Sequence, residues 1–155
     1  MDSLCSINPI ECSEVKKGDH VIIKTRPCKV VNVVHTKTGK HGHVKVNLTG
    51  IDVLTSKKFE YMSPGHISMM QFKLIKKEYQ LVLIDENSLV CLDESSKEIN
   101  VVINEEAEIY AKIKVEFNAG KNLLISVIVA PVEMSGDKFV DETIVDNFKE
   151  DRTTI

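Results

Sequence analysis

The residues with the greatest chemical potential lie together in positions 35–45, HTKTGKHGHVK. This stretch holds three lysines, three histidines and no acidic residue: Lys37, Lys40, Lys45, His35, His41 and His43. Gly39 and Gly42 flank the pair Lys40-His41, and glycines supply the backbone freedom that a hairpin tip needs. The spacing therefore predicts that Lys40 is held outward at the tip of a hairpin.

A metal site is the first chemical alternative. His41 and His43 are two residues apart and His35 is nearby, and imidazoles on one strand face can bind zinc. However, the stretch has no Cys, Asp or Glu to complete a ligand set, and its three lysines would repel a dication. The sequence predicts no metal site.

Catalysis is the second alternative. The stretch lacks the GxxxxGK[ST] spacing of a phosphate loop, and an exposed tip does not desolvate a lysine enough to make it a nucleophile. The first half of the chain also offers no Ser/His/Asp or paired-carboxylate arrangement. We therefore expect that the protein is not an enzyme and needs no cofactor.

Nucleic acid is a third candidate. Lysines contact phosphates with a steep salt dependence, and histidines such as His41 can stack on bases or donate to phosphates. The basic residues predicted to form one RNA-binding group are Lys24, Arg26, Lys29, Lys37, Lys40 and Lys45. A solvated basic hairpin without a partner is the simpler alternative.

The charge distribution supports a division of tasks. Residues 1–77 carry 13 basic and 6 acidic residues, a net +7, whereas residues 78–155 carry 7 and 17, a net −10. Such asymmetry suggests two units, of which the basic one faces nucleic acid.

Composition sets the broad class. Hydrophobic residues make up 43% of the chain and charged residues 28%, as in soluble globular proteins. No apolar run approaches the roughly 20 residues of a membrane span, and the N-terminus does not resemble a signal peptide. The four scattered cysteines are expected to be reduced thiols, so the expected location is the cytoplasm.

The first half reads as short strands that form a small barrel. Gly- and Pro-containing breakers separate stretches rich in Val, Ile and aromatic residues at 20–24, 28–34, 43–54 and 58–63. In the third stretch Val44, Val46 and Leu48 alternate with polar residues, which places Lys45 on the polar face.

The second half predicts strands at 79–85, 88–93, 99–104 and 122–133. Residues 104–120 fit either a strand or a helix that Asn104 would cap, and we favour a short helix. Five strands with one inserted helix would form an OB-fold. The acidic tail from Ser135 has only a weak pattern.

The segment TKTGKHGHVKVNLTGIDVLTSKKFE closely resembles the lysine loop of eukaryotic translation factor 5A. ECSEVKKGDHVIIKTRPCKVV extends the resemblance upstream, and EYQLVLI and LLISVI extend it more weakly downstream. The resemblance implies an SH3-like N-terminal barrel followed by a C-terminal OB-fold. The expected organisation is a flexible segment at 1–14, a basic SH3-like domain at 15–76 with its loop at 35–43, an acidic OB-fold domain at 77–150 and a tail at 151–155.

The resemblance also implies a modification at Lys40. In that family, deoxyhypusine synthase transfers an aminobutyl group from spermidine to a lysine, and deoxyhypusine hydroxylase then completes hypusine. By this resemblance Lys37 matches a position that can be acetylated. The loop that the modifying enzymes would recognise comprises Thr38, Gly39, His41, Gly42 and His43.

The implied function is that of a translation factor. Members of the family bind the ribosome near the exit site and place the modified side chain beside the end of the peptidyl-tRNA. There they promote peptide bond formation at stalled sequences in elongation, and we expect the same in termination. Two alternatives stay open: a structural or assembly protein on the same two-domain fold, or an RNA-binding module whose Lys40 is never modified.

Overall fold

The computed structural model describes residues 3–38, 43–104, 106–136 and 138–152, which are mostly β-strand with one α-helix. The chain divides into two compact units. The first unit contains Met1–Ile75 and Ala130–Glu142, and the second contains Lys76–Val129 and Thr143–Ile155.

A sheet of six strands, ordered β1-β6-β2-β3-β4-β5, builds the first unit as an SH3-like barrel. Its buried core includes Val21, Ile23, Val30, Val46 and Leu48. These side chains occupy alternate positions, because residues two apart in a strand point to the same face. The strands are β1 Ile7–Glu11, β2 His20–Ile23, β3 Arg26–Thr38, β4 His43–Asp52, β5 Lys58–Pro64 and β6 Ser68–Phe72.

Two of these strands depart from the sequence prediction. We expected residues 1–14 to be flexible, but β1 pairs antiparallel with β6 from Ile7↔Phe72 to Glu11↔Ser68. A short 3-10 turn, Cys12–Glu14, follows and buries Cys12 completely. Both strands have only five residues, and they pair with each other across a long separation in the sequence. The residues near each strand therefore gave no clear strand pattern.

The second sheet has the OB-fold arrangement, with the helix between its third and fourth strands. Its order is β11-β10-β7-β8-β9, and its core includes Leu89, Ile113 and Ile125, which are fully buried. The elements are β7 Ile75–Asp85, β8 Ser88–Leu92, β9 Glu98–Val102, α1 Glu108–Asn118, β10 Leu123–Ser135 and β11 Lys138–Glu150.

The helix preferred for residues 104–120 is confirmed as α1, which buries Tyr110 and Ile113. Its N-cap, however, is Ala107 rather than Asn104. The Asn104 side chain instead accepts a hydrogen bond from the Glu106 amide at 2.9 Å, and the Ala107 amide donates to the Asn104 carbonyl at 3.0 Å. Asn104 therefore closes a turn that leads into the helix.

The C-terminal segment differs most from expectation. The weakly patterned tail contains a strand of 13 residues, β11, and residues 130–142 belong to the first unit rather than to one domain over 77–150. Within that unit the Glu133 amide donates to the Thr25 carbonyl at 3.0 Å, and the Leu4 amide donates to Asp141 at 2.7 Å. The exposed charges of β11 obscured its few buried positions, Phe139 and Val145.

The four cysteines are all buried and free of disulfides, as the sequence predicted for reduced thiols. Burial raises the pKa of Cys28 to about 12 and that of Cys91 to about 11, so neither is an activated thiolate. Among the described helices, none has the length and apolar character needed to cross a membrane.

Candidate functional site

The β3–β4 hairpin carries the residues at which the sequence placed the site. The two strands pair antiparallel from Cys28↔Asp52 to Thr38↔His43, with a register shift between Val30 and Asn32. The last pair leaves only residues 39–42 between the strands. The predicted residues Gly39, Lys40, His41 and Gly42 lie outside the described residues.

Side-chain alternation along β4 follows the prediction. Val46 and Leu48 are buried in the core of the first unit, whereas His43 and Lys45 are exposed. This alternation fixes the strand register, since a slip of one residue would bring polar side chains into the core. The loop therefore starts from a rigid pair of strands.

The two lysines that flank the loop lie on opposite faces of the hairpin. Lys37 is opposite Val44, which packs against the core, whereas Lys45 is opposite Thr36 on the outer face. Both lysines are exposed, and neither forms an ion pair with a described residue. Positive charge is thus available on both sides of the hairpin end.

A cleft of about 450 Å³ lies beside the base of the loop. The turn after β5 forms one wall, and backbone hydrogen bonds hold it: the Gly65 amide donates to the Val44 carbonyl at 2.8 Å, and the Ser13 amide donates to the Gly65 carbonyl at 3.0 Å. A Cβ atom at Gly65 would lie 3.1 Å from the Ser13 Cβ. The lining residues are Glu11, Ser13, His43, Val44, Lys45, Pro64, Gly65 and His66.

Sequence reasoning missed His66 as a neighbour of the site. It lies 21 positions beyond Lys45 in the sequence, and only the pairing of β4 with β5 brings Pro64 opposite Lys45. The Ser63-Pro64-Gly65 breaker signalled a turn there, but it did not show which strand the turn would approach.

At the other end of the hairpin, Arg26 has a structural role. Its Nε donates to Oδ2 of Asp52 at 2.7 Å, and the Leu54 amide donates to Oδ1 at 2.9 Å. Burial alone would raise the pKa of Asp52, but these hydrogen bonds outweigh burial and lower it. The same pairing raises the pKa of Arg26. Its guanidinium is therefore occupied by the buried carboxylate.

The predicted single basic group is therefore divided. Arg26 begins β3 and Thr38 ends it, so about 40 Å of strand separates them at roughly 3.3 Å per residue. Lys24 lies in the turn before β3 with φ 49°, and Lys29 pairs with Ile51 near the same end. The sequence did not reveal this separation, because the pattern did not show that residues 26–38 form one long strand whose two ends lie far apart.

The described residues contain no group of three or more His, Cys, Asp or Glu side chains that could hold a metal ion. His35 is opposite Val46 on one face of the hairpin, whereas His43 belongs to the alternating exposed set on the other. The two imidazoles therefore do not converge.

Two protein-family models match successive parts of this chain. A family model described as "Translation initiation factor 5A-like, N-terminal" matches residues 5–67. A second model, "Eukaryotic elongation factor 5A hypusine, DNA-binding OB fold", matches residues 74–134. The two matches follow each other along the chain and cover most of it.

Whole-chain relatives agree with these models. Eukaryotic translation initiation factor 5A-1 of Saccharomyces cerevisiae is 36% identical over 138 residues, which are 89% of this chain and 88% of the yeast protein. Eukaryotic translation initiation factor 5A-2 of Schizosaccharomyces pombe is 39% identical over 122 residues, 79% of this chain and 72% of that protein.

A solved structure of a translation initiation factor eif-5a family protein from Naegleria fowleri has a TM-score of 0.76 and 32% identity, and the match covers 92% of this chain and 98% of that chain. Taken with the family models and the yeast relatives, this similarity shows that the chain is a translation factor of the eukaryotic translation factor 5A family.

Proposed function

We propose that this translation factor binds the ribosome near the exit site and promotes peptide bond formation at stalled sequences through a hypusine at Lys40. The factor would act in elongation and also in termination. The proposal assigns the modification to deoxyhypusine synthase and deoxyhypusine hydroxylase, with spermidine as the donor, and it assigns the cytoplasm as the place of action.

The observation that carries the proposal is the pair Thr38↔His43. It ends the β3–β4 strand ladder and leaves four residues, Gly-Lys-His-Gly, as the connection. Loops lie at the protein surface and often carry functional residues. We therefore expect a lysine in such a short connection between two paired strands to be accessible to a modifying enzyme. Thr38 and His43 then mark the edges of the recognised loop, and Gly39, His41 and Gly42 form its interior.

The expected mechanism is positional and electrostatic. Hypusine lengthens the lysine stem and adds a second amine and a hydroxyl, so the side chain gains reach, charge and hydrogen-bond donors. Lys37 and Lys45 add phosphate contacts on the two faces of the hairpin. The modified side chain would hold the end of the peptidyl-tRNA in reactive geometry, and the ribosome would perform the chemistry.

Acetylation of Lys37 is a separate part of the proposal. The side chain is exposed on the face opposite to that of Lys45. Acetylation would remove one positive charge beside the loop and would therefore weaken phosphate contacts on that face alone.

Mass spectrometry of the protein purified from its own cells tests the modification. The peptide that contains Lys40 should carry the hypusine increment, and the peptide that contains Lys29 should not. Protein made in bacteria is the unmodified reference, and coexpression with deoxyhypusine synthase and added spermidine should produce the deoxyhypusine form. An unmodified Lys40 in the cellular protein would refute the proposal and favour an unmodified RNA-binding module or an assembly protein.

A further inference from the structure

The outer face of the second unit carries an exposed group of aliphatic side chains. Leu83 is 55% exposed and Val102 is 72% exposed, while Val90 and Leu92 are half-buried. The largest contiguous apolar patch on a soluble monomer often has a binding function. We name the set Leu83, Val90, Leu92 and Val102 the aliphatic patch.

The strand register makes the patch contiguous. Leu83 pairs with Val90 between β7 and β8, and Val90 pairs with Asn100 between β8 and β9. Val102 is two residues beyond Asn100, so it is a diagonal neighbour of Val90 at about 7–8 Å. The intervening residues Leu89 and Val101 point into the core, which confirms that the patch lies on the opposite face.

The residues that flank the patch are mainly acidic. Asp85 and Glu86 follow Leu83 at the end of β7, and Glu98 begins β9 opposite Leu92. All three are exposed, and none forms an ion pair with another described residue. Lys97 directly precedes Glu98, and the cations within these strands are Lys76 and Lys77 near the start of β7. The flank would therefore attract a positively charged partner.

Nucleic acid does not fit this face. OB-folds that bind oligonucleotides use their second and third strands and supply basic and aromatic side chains there. The outward residues of β8 and β9 include neither type: Ser88, Val90, Leu92, Glu98, Asn100 and Val102. The second unit also carries 8 basic and 13 acidic residues, a net −5, so it would repel phosphate.

We propose that the aliphatic patch binds an amphipathic helix of another protein, with aliphatic residues on one face and Lys or Arg at its edges. Two gaps between three strands give a width of about 10 Å, and the four residue steps from Ser88 to Leu92 give a length of about 13 Å. These dimensions match two turns of a helix. Helical anchors at i, i+3, i+4 and i+7 would cover the patch, and their basic neighbours would face Asp85 and Glu98. This inference does not depend on the modification of Lys40.

A designed peptide tests the chemistry of the surface. The probe is a fluorescent 18-residue helix with Leu at the i, i+3, i+4 and i+7 positions and Lys beside them. Its controls are the same residues in scrambled order and a version with Glu in place of Lys. Anisotropy with the full chain should give micromolar binding of the probe and at least tenfold weaker binding of both controls.

Variants locate the site. Leu83→Ser combined with Val102→Ser should weaken binding of the probe at least tenfold, and Asp85→Lys combined with Glu98→Lys should reverse the preference between the Lys and Glu peptides. Val140→Ser is the matched control, because Val140 is 49% exposed but belongs to the first unit. Unchanged melting curves would show that each variant is folded.

Three results would overturn the proposal. The probe could bind the Leu83→Ser/Val102→Ser variant as tightly as the wild type. A 12-nucleotide single-stranded RNA could lose affinity in that variant but not in Val140→Ser. The wild type could sediment as a dimer that this variant converts to a monomer, in which case the patch contacts a second copy of the chain.

Discussion

Arg26, the first residue of β3, donates from Nε to Oδ2 of Asp52, the last residue of β4, at 2.7 Å. This ion pair closes the root of the hairpin whose other end carries Lys40. Asp52 is only 1% exposed, and the Leu54 amide occupies its second oxygen. The pair therefore fixes both the hairpin and the turn that leads from β4 towards β5.

The first prediction concerns the free energy of unfolding. Asp52→Asn keeps the side-chain shape but removes the carboxylate that pairs with Arg26, and it should destabilise the chain by about 2 kcal/mol. This is below the 3–5 kcal/mol typical of a broken buried pair, because the Arg26 side chain is 24% exposed. Urea unfolding measures the change. Glu60→Gln in the exposed pair Lys58–Glu60 at 3.8 Å should change stability by less than about 0.5 kcal/mol, and equal losses would contradict the prediction.

The second prediction concerns pH. The pKa of Asp52 is lower in the folded chain than its ordinary value of about 3.9 in the unfolded chain. The ionised carboxylate therefore stabilises the folded state above about pH 4, and this contribution is lost as the pH falls through the lowered pKa. The stability difference between wild type and Asp52→Asn should be constant from pH 5 to 7 and should shrink below pH 4. A difference that grew with acidity would show that the sign is wrong.

Sequence patterns predicted the elements whose signal is local. The alternation around Val46 and Leu48 gave β4 and the exposure of Lys45, and the helical spacing of Ile109 and Ile113 gave α1. The patterns did not predict β1 or β6, because each is stabilised by pairing with a strand about 60 residues away. In β11, exposed acidic residues outnumber buried positions such as Val145, so composition suggested a tail.

The same distinction applies to the site. The predicted site around Lys40 is a short continuous stretch of sequence, so its residue types were sufficient to propose it. Arg26 is a cation in the sequence like any other, and only its distance to Asp52 shows that it serves the fold. His66 reaches the cleft through the turn after β5, and no pattern in the sequence gives that proximity.

The third prediction tests close packing at the root of the hairpin. A Cβ atom at Gly50 would lie 2.8 Å from the Ile23 Cδ1 and 2.9 Å from the Cys28 Cβ. Gly50→Ala should therefore destabilise the chain by about 2 kcal/mol in urea unfolding, because a filled core cannot yield without strain. Asn47→Ala, at an exposed position on the same strand, is the control and should have little effect. A neutral Gly50→Ala would show that Cys28 moves away at little cost.

The fourth prediction separates modification from charge. Lys40→Arg keeps one positive charge but cannot receive the aminobutyl group, so it should abolish stimulation of peptide bond formation at proline runs in a reconstituted translation assay. Its free energy of unfolding in urea should stay within about 0.5 kcal/mol of the wild type, because the sequence predicts that Lys40 lies at an exposed tip, where substitutions have little effect on stability. Lys37→Arg is the matched control and should retain activity. Full activity of Lys40→Arg would show that a cation at this position is sufficient without hypusine.

The last prediction tests the division of the basic residues. If Lys37 and Lys45 contact ribosomal phosphates, Lys37→Ala and Lys45→Ala should each weaken ribosome binding. Each should also reduce the slope of log K against log salt by about 1. Lys24→Asn and Lys29→Ala should leave the slope unchanged, because both positions lie towards the Arg26 end of β3, and asparagine tolerates the positive φ of Lys24. Sedimentation of the modified protein with ribosomes over a salt series measures all four. Equal slope changes for Lys29→Ala and Lys45→Ala would restore a single basic surface and would mean that ribosomal RNA follows the whole length of the hairpin.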